Sequence, residues 1–273
     1  PFGSRWGSNA HIVFENPEGS RWAKDIPQGS SDYYVENLVD ADPHYVQDPK
    51  VRKVLALSSL EAAWAKVRCH MRYESLTDEV ELRLFENDLE ENLSALKENI
   101  LDSCYDRLHT REHMPYEFPK NLAQTRPRSL PRLEDQVLAT AVCVNSASEL
   151  EGPCAKVSYD HKLAPPNSEF LYKYWFAAYR EYLADALRSF NGEQVFVTDI
   201  RSYYMNIQQS LLLDIIYRRL NASPRCCEMF STIIERDCRA QHRRGYGLLQ
   251  GHALSGLLSN VMLQPVDSRL VNK

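Results

Sequence analysis

Residues 195–207 read VFVTDIRSYYMNI: β-branched and aromatic side chains end in an acid, and two tyrosines follow. The apolar run predicts a strand over residues 194–198, with Asp199 directly at its end. An aspartate at the end of a strand is held rigidly, and carboxylate oxygens are ligands that Mg²⁺ prefers. A lone aspartate in this position is more often a cap or a turn residue, so the surrounding sequence has to distinguish these interpretations.

Helical periodicity flanks this stretch on both sides. Residues 168–190 carry aromatic side chains at helical spacing, and such a stripe predicts a helix packed in the core. Residues 209–220 predict a second helix. A further helical segment leads to a basic cluster that consists of Arg236, Arg239, His242, Arg243 and Arg244. Residues 247–264 predict a turn and then a helix with small residues on one side.

The N-terminal part of the chain predicts an arm followed by helices. Residues 1–50 are rich in Gly, Ser, Pro, Asn and Asp, which indicates a loosely structured arm. A helix is predicted over residues 48–72. Residues 78–101 predict another, capped by Thr77 or Asp78, with an apolar stripe of Leu82, Phe85, Leu89, Leu93, Leu96 and Ile100. Its acidic face is interpreted as solvated, and docking of a basic partner is the weaker alternative.

Strands are predicted in the middle of the chain. Residues 103–134 contain several prolines and indicate short strands or a ribbon, and residues 134–144 predict a short buried helix. Because strands and helices do not alternate regularly, the pattern predicts an α+β fold rather than a doubly wound parallel sheet. The chain contains neither G-x-G-x-x-G nor G-x-x-x-x-G-K-[ST], so a dinucleotide or P-loop site has no support.

The composition is that of an ordinary globular protein. The 273 residues carry a net charge of −5, and no apolar run is long enough to predict a membrane span. Seven cysteines without a C-x-x-C pair favour reduced thiols and a cytoplasmic location. No signal peptide is predicted. The chain begins at Pro1 rather than Met, and we expect the natural start to lie upstream.

Four stretches, in chain order, resemble motifs of reverse transcriptases. Residues 126–131 (RPRSLP), with Asp135, resemble the fingers motif of the bacterial members, and residues 158–163 (SYDHKL) resemble their Ser-Tyr-Gly stretch. Residues 199–207 (DIRSYYMNI) resemble the first palm motif, and residues 249–260 (LQGHALSGLLSN) resemble the second. The likeness extends to the retron, group II intron and abortive-infection or defence types, and favours the defence-associated group.

The resemblance implies a right-hand polymerase architecture. Residues 1–110 would form an N-terminal arm and helical region, residues 111–166 the fingers, and residues 167–273 the first part of the palm. The implied activity is RNA-directed DNA polymerisation, in which two Mg²⁺ ions support addition of dNMP units to a 3′-hydroxyl. The implied partners are an RNA template, a DNA or RNA primer and dNTPs, with a dedicated non-coding RNA or a homo-oligomer also open. Antiphage defence is the implied purpose, and no membrane partner is expected.

The resemblance also implies roles for individual residues. Asp199 would ligate both metal ions, helped by the carbonyl of Ile200. Tyr204 would be the sugar gate, because a ring under C2′ excludes a 2′-hydroxyl, and Tyr203 would pack inward, with the reverse assignment left open. Contacts to the incoming nucleotide or the templating pair would come from Lys120, Arg126, Gln250 and Gly251. The template–primer backbone would meet Arg236, Arg239, Arg243 and Arg244, for which a solvated helix end is the alternative.

The sequence also departs from the family pattern. Leu249 and Gly256 stand where relatives often carry Pro, and Asp160 replaces a Gly. The third palm motif, an aromatic-x-Asp-Asp hairpin, is expected shortly after residues 263–270, and the chain contains no Asp-Asp pair. We therefore expect a fragment of a longer reverse transcriptase that is inactive by itself. The alternatives are an inactive polymerase-like module that binds RNA or scaffolds a complex, and an enzyme of untemplated or protein-primed DNA synthesis.

Two other candidate sites are weaker. His109 and His113 lie four residues apart with Cys104 nearby, a spacing compatible with Zn²⁺, but no second ligand pair matches and Pro115 interrupts the helix. Ser255 could be imagined as a nucleophile. It lacks a G-x-S-x-G elbow, and the Gln-Gly resemblance accounts better for its surroundings.

Overall fold

The computed structural model describes residues 10–11, 25–26, 48–74, 76–101, 114–152, 157–192, 195, 197–220, 224–240 and 245–271. Strands β1 (Ala10–His11) and β2 (Asp25–Ile26) form a short antiparallel pair within the predicted arm. Residues 1–9, 12–24 and 27–47 of that arm lie outside the described residues, as do the candidate zinc ligands His109, His113 and Cys104.

The segment predicted as one helix over residues 48–72 is two helices. Helix α1 (Pro49–Val54) begins after Asp48, whose carboxylate accepts hydrogen bonds from the backbone N–H groups of Lys50 and Val51. Ala56 has extended backbone (φ −62°, ψ 134°) and separates α1 from helix α2 (Leu57–Met71). The break lets both helices turn apolar side chains into the same core, including Val51, Val54, Leu55, Leu60, Ala63 and Val67.

The predicted helix over residues 78–101 is likewise interrupted once. Helix α3 (Glu79–Asn87) ends before Asp88, and helix α4 (Leu89–Leu101) follows it. Asp78 caps α3 as predicted, by accepting hydrogen bonds from two backbone N–H groups. Five residues of the predicted stripe are buried, and Leu89 is half-buried against them. The acidic face is exposed, as expected of a solvated surface, and two of its carboxylates, those of Glu79 and Glu86, bind Arg68.

The predicted ribbon is present as strands β3 (Met114–Asn121) and β4 (Gln124–Leu130), which pair antiparallel with Phe118 opposite Arg126. Helix α5 (Leu133–Glu151) follows and is much longer than the predicted helix over residues 134–144. Its extra turns are held by burial of Ser146, Ala147 and Leu150. Helix α5 packs against both α2 and the C-terminal helix, and thereby forms the centre of the core.

The aromatic stretch of residues 168–190 is helical only from helix α6 (Trp175–Ser189), and its predicted burial is wrong. Only Ala178 of this helix is buried, whereas the exposed rings are those of Phe170, Tyr174, Trp175, Phe176, Tyr179 and Tyr182. Within the described part of the chain, α6 packs extensively against no other helix or strand. An aromatic stripe becomes core only where a second element covers it, and none of the described elements does so.

The predicted strand over residues 194–198 is not observed. Val195 and residues 197–200 are exposed and have no strand partner among the described residues, and residues 194 and 196 lie outside the description. Strand propensity alone does not form a strand, because the backbone needs a neighbour with which to exchange hydrogen bonds. Asp199 therefore lies on an exposed segment rather than at the end of a buried strand.

The described part of the chain after Ser202 contains four helices: the single turn α7 (Tyr203–Asn206), α8 (Gln209–Arg219), α9 (Pro224–Ala240) and α10 (Ala253–Val271). Helix α8 confirms the prediction for residues 209–220. The buried amide of Gln209 joins α9 to the segment before α10, since its Nε2 donates to the carbonyls of Ile234 and Gly247. The mixture of helices with small antiparallel ribbons agrees with the α+β prediction, while the division at residues 110 and 166 stays a prediction.

Two properties of the described residues bear on the sequence predictions. Cys69, Cys143, Cys226 and Cys227 are buried free thiols, and burial raises the pKa of Cys143, Cys226 and Cys227 to about 12. The thiols of Cys143, Cys226 and Cys227 are therefore protonated at neutral pH in the described fold. None of the described helices is both long enough and apolar enough to cross a membrane.

Candidate functional site

A cleft with a volume of about 1240 Å³ lies between the β3–β4 ribbon, helices α2 and α5, and the first turn of α10. Three separate parts of the chain supply residues to which the resemblance gives a role. Eight of these residues line the cleft, namely Lys120, Arg126, Asp199, Ile200, Tyr203, Tyr204, Gln250 and Gly251. The fold thus brings together side chains that the sequence separates by up to about 130 positions.

The Asp199 carboxylate is exposed on the cleft and forms no hydrogen bond or ion pair with a described residue. Three residues later the backbone turns sharply, because Ser202 has φ +51°, in the left-handed region that non-glycine residues rarely adopt. The Asn206 side chain stabilises this turn by donating to the carbonyl of Ser202 at 3.0 Å. The turn directs the chain from the exposed segment into α7, which carries the two tyrosines.

Tyr203 and Tyr204 are both half-buried and both bind Ser259 of helix α10. The Tyr203 hydroxyl donates to the Ser259 carbonyl at 2.6 Å. Ser259 Oγ donates to the carbonyl of Gly256, which leaves it to accept from the Tyr204 hydroxyl at 3.2 Å. The two rings meet edge to face with centroids 5.9 Å apart. Burial raises the pKa of each phenol, so both are neutral around pH 7.

The turn at Gln250 and Gly251 lies against the end of strand β4. Gly251 has φ +107°, and a Cβ atom built there would lie 3.3 Å from the carbonyl oxygen of Ser129. Only glycine adopts such a backbone conformation readily and allows so close an approach. The helix that follows is held by Tyr172, whose hydroxyl donates to the carbonyl of Ala253 and accepts from the N–H of Leu257 at 3.1 Å.

A second loop, residues 157–163, packs on α10 and includes the predicted Ser-Tyr stretch. Asn260 donates to the carbonyl of Asp160 at 2.7 Å. The imidazole Nδ1 of His161 lies 2.9 Å from the Asp160 carboxylate, and this hydrogen bond lowers the pKa of Asp160. The His161 ring contacts Tyr172 edge to face and lies directly over Gly256. Gly256 thus makes room for an imidazole.

The ribbon places cations of two kinds beside the cleft. Arg128 is engaged within the protein: its guanidinium carbon lies 4.4 Å from the Phe118 ring centroid, and its Nη1 lies 3.7 Å from Glu74. Lys120 and Arg126 are exposed and form no ion pair with any residue that the structure describes. They are therefore the ribbon side chains available to an anionic ligand.

Sequence reasoning missed several polar groups at the inner end of the cleft. Lys66 of α2 is buried, donates to the carbonyls of Ser168 and Phe170, and has a pKa lowered by burial. The hydroxyls of Thr140 and Ser255 are buried and have no hydrogen-bond partner within the described structure. Lys66 follows Ala63 by three residues and precedes Val67, so its position on an apolar helix face was the available signal.

The basic cluster is described only in part. Arg236 and Arg239 belong to α9, but their side chains lie outside the description, and Arg243 and Arg244 lie outside it altogether. Their proposed contacts with nucleic acid stay predictions. Among the side chains that the structure describes, no group of three or more His, Cys, Asp or Glu residues is placed to hold a metal ion.

Comparison with known proteins gives limited information. No family model matches the chain. The protein YkfC of Escherichia coli (strain K12) is similar to it, with 24% identity over 200 residues, which correspond to 71% of this chain and 49% of YkfC. The chain thus spans about half the length of this curated relative.

Proposed function

We propose that the full-length protein is an RNA-directed DNA polymerase that adds dNMP units to a 3′-hydroxyl with the help of Mg²⁺. The observation that carries the proposal is the convergence of eight residues from three separated stretches on one cleft. Each stretch resembles a different part of a reverse transcriptase active site. A chance likeness in sequence would not be expected to gather these residues at one place.

The donor atoms at Asp199 fit part of a magnesium site. An exposed carboxylate that no described residue engages, together with the carbonyl of Ile200, offers the hard oxygen ligands that Mg²⁺ takes. Bound there, the metal would lower the pKa of the attacking hydroxyl and neutralise the leaving pyrophosphate. We expect Asp199 to hold this position and the remaining carboxylates to be supplied from outside the described residues.

Arg126 and Lys120 would hold the triphosphate of the incoming nucleotide. Both are exposed on the ribbon side of the cleft, and neither is engaged by a described acid. A planar guanidinium can donate two parallel hydrogen bonds to phosphate oxygens, which suits Arg126 to the more demanding contact. Lys120 would add a point charge beside it.

The tyrosine pair and the glycine turn would shape the nucleotide pocket. Tyr203 and Tyr204 have rings fixed by Ser259, and a rigid ring can exclude a 2′-hydroxyl better than a mobile one. We assign the sugar gate to Tyr204. Gly251 would let the templating pair approach the backbone, since no Cβ lies in the way.

The test is primer extension by the full-length protein on an RNA template with Mg²⁺ and labelled dNTPs. Asp199→Ala is expected to abolish extension. Asp214→Ala is the matched control, because Asp214 is an exposed acid on α8 that pairs with Arg218 away from the cleft. If Asp199→Ala extends primers as well as Asp214→Ala does, the metal assignment is wrong.

The same assay separates the proposal from its alternatives. Products that form equally well without template would indicate untemplated or protein-primed synthesis. A folded protein that binds RNA but extends no primer, in Mg²⁺ or in other divalent metals, would indicate an inactive module that scaffolds RNA.

A further inference from the structure

Four aromatic rings that line the cleft are exposed although they are large and apolar. These residues, here named the aromatic rim, are Tyr73, Phe170, Tyr174 and Trp175, with 74%, 47%, 66% and 64% of their surfaces exposed. All four line the cleft. Exposed apolar rings that gather at one place on a surface mark an interaction site more often than rings scattered singly.

The rim contains two pairs of neighbouring rings. The ring centroids of Tyr73 and Phe170 lie 6.1 Å apart with planes inclined by 37°, and those of Tyr174 and Trp175 lie 5.8 Å apart, inclined by 52°. Neither pair is stacked face to face. Flat surfaces of the rings are thus left open to a ligand that itself has flat faces.

The backbone that carries the rim is fixed at several points. Lys66 donates to the carbonyls of Ser168 and Phe170 and so ties this segment to helix α2. Leu163 and Tyr172 form an isolated antiparallel bridge, and the N–H of Lys173 donates to the carbonyl of Lys162 at 2.8 Å. Rings on a fixed backbone lose little conformational freedom on binding, which favours affinity.

The charges beside the rim favour a polyanion. Five Lys and Arg side chains line the cleft against three Asp and Glu side chains. Of the acids, Glu74 faces Arg128, Asp160 faces His161, and Asp199 is the carboxylate proposed to bind a metal ion. The cations Lys120 and Arg126 are not engaged by any described acid. A polyanion with exposed planar groups is a single-stranded nucleic acid. In a duplex the faces of the bases are already stacked on one another and unavailable to protein rings.

We propose that the aromatic rim binds the unpaired part of the RNA template by stacking its bases on Trp175 and the neighbouring rings. This inference rests on the proposed polymerase function and adds the route by which template reaches the cleft. Aromatic stacking and a cationic groove together are the usual means of binding single strands without sequence preference.

Helix α6 provides a matched control. Tyr179 is one turn further along the same helix, half of its surface is exposed, and it does not line the cleft. A general loss of aromatic surface on α6 would therefore affect Tyr179→Ala and Trp175→Ala alike. Base stacking at the rim would affect only Trp175→Ala.

The experiment measures binding of a labelled single-stranded RNA of about 12 nucleotides to the full-length protein, without dNTPs, by fluorescence anisotropy. Trp175→Ala is expected to raise Kd about tenfold, as the loss of one base–aromatic stack would. Trp175→Phe should keep most of the affinity, and Tyr179→Ala should match the parent. A blunt RNA duplex should bind equally to all four proteins. Thermal unfolding of each variant shows whether it is folded.

Equal affinity of Trp175→Ala and the parent for the single strand would overturn the inference, and so would equal losses in Trp175→Ala and Tyr179→Ala. These results are distinguishable from failure of the proposed function. If primer extension occurs and Trp175→Ala leaves Kd unchanged, the template-binding role of the aromatic rim is refuted and the polymerase function is retained. If RNA binding depends on Trp175 but no primer is extended, the polymerase function is refuted and single-strand binding by the aromatic rim is retained.

Discussion

The imidazole of His161 lies where a side chain on Gly256 would have to be: a Cβ atom built at residue 256 would lie 2.2 Å from His161 Cδ2. The same ring packs edge to face on Tyr172, with centroids 5.2 Å apart, and binds the carboxylate of Asp160. The loop of residues 157–163 and helix α10 thus meet through one ring and one missing side chain.

Gly256→Ala is expected to destabilise the protein although alanine favours helices. The new methyl group would displace the His161 ring, and overpacking of this kind costs about 1–3 kcal/mol, more than the ~1 kcal/mol that alanine returns in a helix. Urea unfolding measures the difference. Combining Gly256→Ala with His161→Gly should remove the penalty, because residue 161 has φ +50°, which glycine tolerates. A penalty that stays in the double variant would show that the ring is not its cause.

The tyrosine pair predicts a loss of stability at alkaline pH. Burial raises the pKa of Tyr203 and Tyr204 above the usual value near 10, so the folded state keeps both phenols neutral where the unfolded chain ionises. The contribution of the two phenols to the free energy of unfolding is fully present below about pH 10. It is lost as pH rises from there through the raised folded-state pKa.

The free energy of unfolding is measured at about pH 8 and about pH 10.5. Between these two values it should decrease less for Tyr203→Phe than for the parent. The variant should be less stable by about 1 kcal/mol at neutral pH, because its hydrogen bond to the Ser259 carbonyl is lost. Tyr179→Phe, which alters an exposed ring, should follow the parent. An identical alkaline loss in all three proteins would show that Tyr203 does not contribute.

Gly251→Ala is expected to disturb the cleft more than the same change at another glycine of positive φ. Both Gly251 (φ +107°) and Gly192 (φ +89°) would incur backbone strain of about 1–3 kcal/mol. Only at Gly251 would the methyl group also approach the Ser129 carbonyl. We expect weaker nucleotide binding in Gly251→Ala, measured by dNTP titration in the extension assay, and unchanged binding in Gly192→Ala. Equal effects would locate the cause in backbone strain alone.

The sugar gate is tested by the selectivity between dNTPs and rNTPs. Tyr204→Ala should relax selectivity by about 10- to 200-fold, the range that one steric contact typically supplies, while Tyr204→Phe should keep it because the ring remains. Incorporation of both nucleotide types by the full-length protein gives the ratio. If Tyr203→Ala relaxes selectivity and Tyr204→Ala does not, the two rings have exchanged roles.

Features that depend on nearby sequence were predictable. The stripe from Leu82 to Ile100 and the Asp78 cap follow from helical spacing and local hydrogen bonding. The ribbon follows from the prolines within residues 103–134. The motif residues around Asp199 and Gln250 could be proposed as one site because the resemblance supplied their relation, and the cleft brings them together.

Features that depend on distant contacts were not predictable. The strand at residues 194–198 and burial of the rings around Tyr179 both require a covering element, and periodicity does not say whether one is present. The last turns of α5 contain Asn145, Ser146 and Ser148, which favour a helix end, yet packing continues the helix to Glu151. Lys66 resembles a surface residue by type; helical spacing places it on the apolar face of α2, but its carbonyl partners at residues 168 and 170 could not be found from sequence.

Helix α5 belongs both to the core and to the floor of the cleft, and this affects how the cleft can move. Its apolar residues, such as Val137 and Ala141, form the centre of the core, and Gln136 and Thr140 on the same helix form the floor of the cleft. Amide hydrogens of this helix should therefore exchange with solvent only through unfolding of the whole core, whereas the exposed segment around Asp199 can open by itself. The cleft thus joins an immobile floor to a wall that can adapt to whatever ligand enters it.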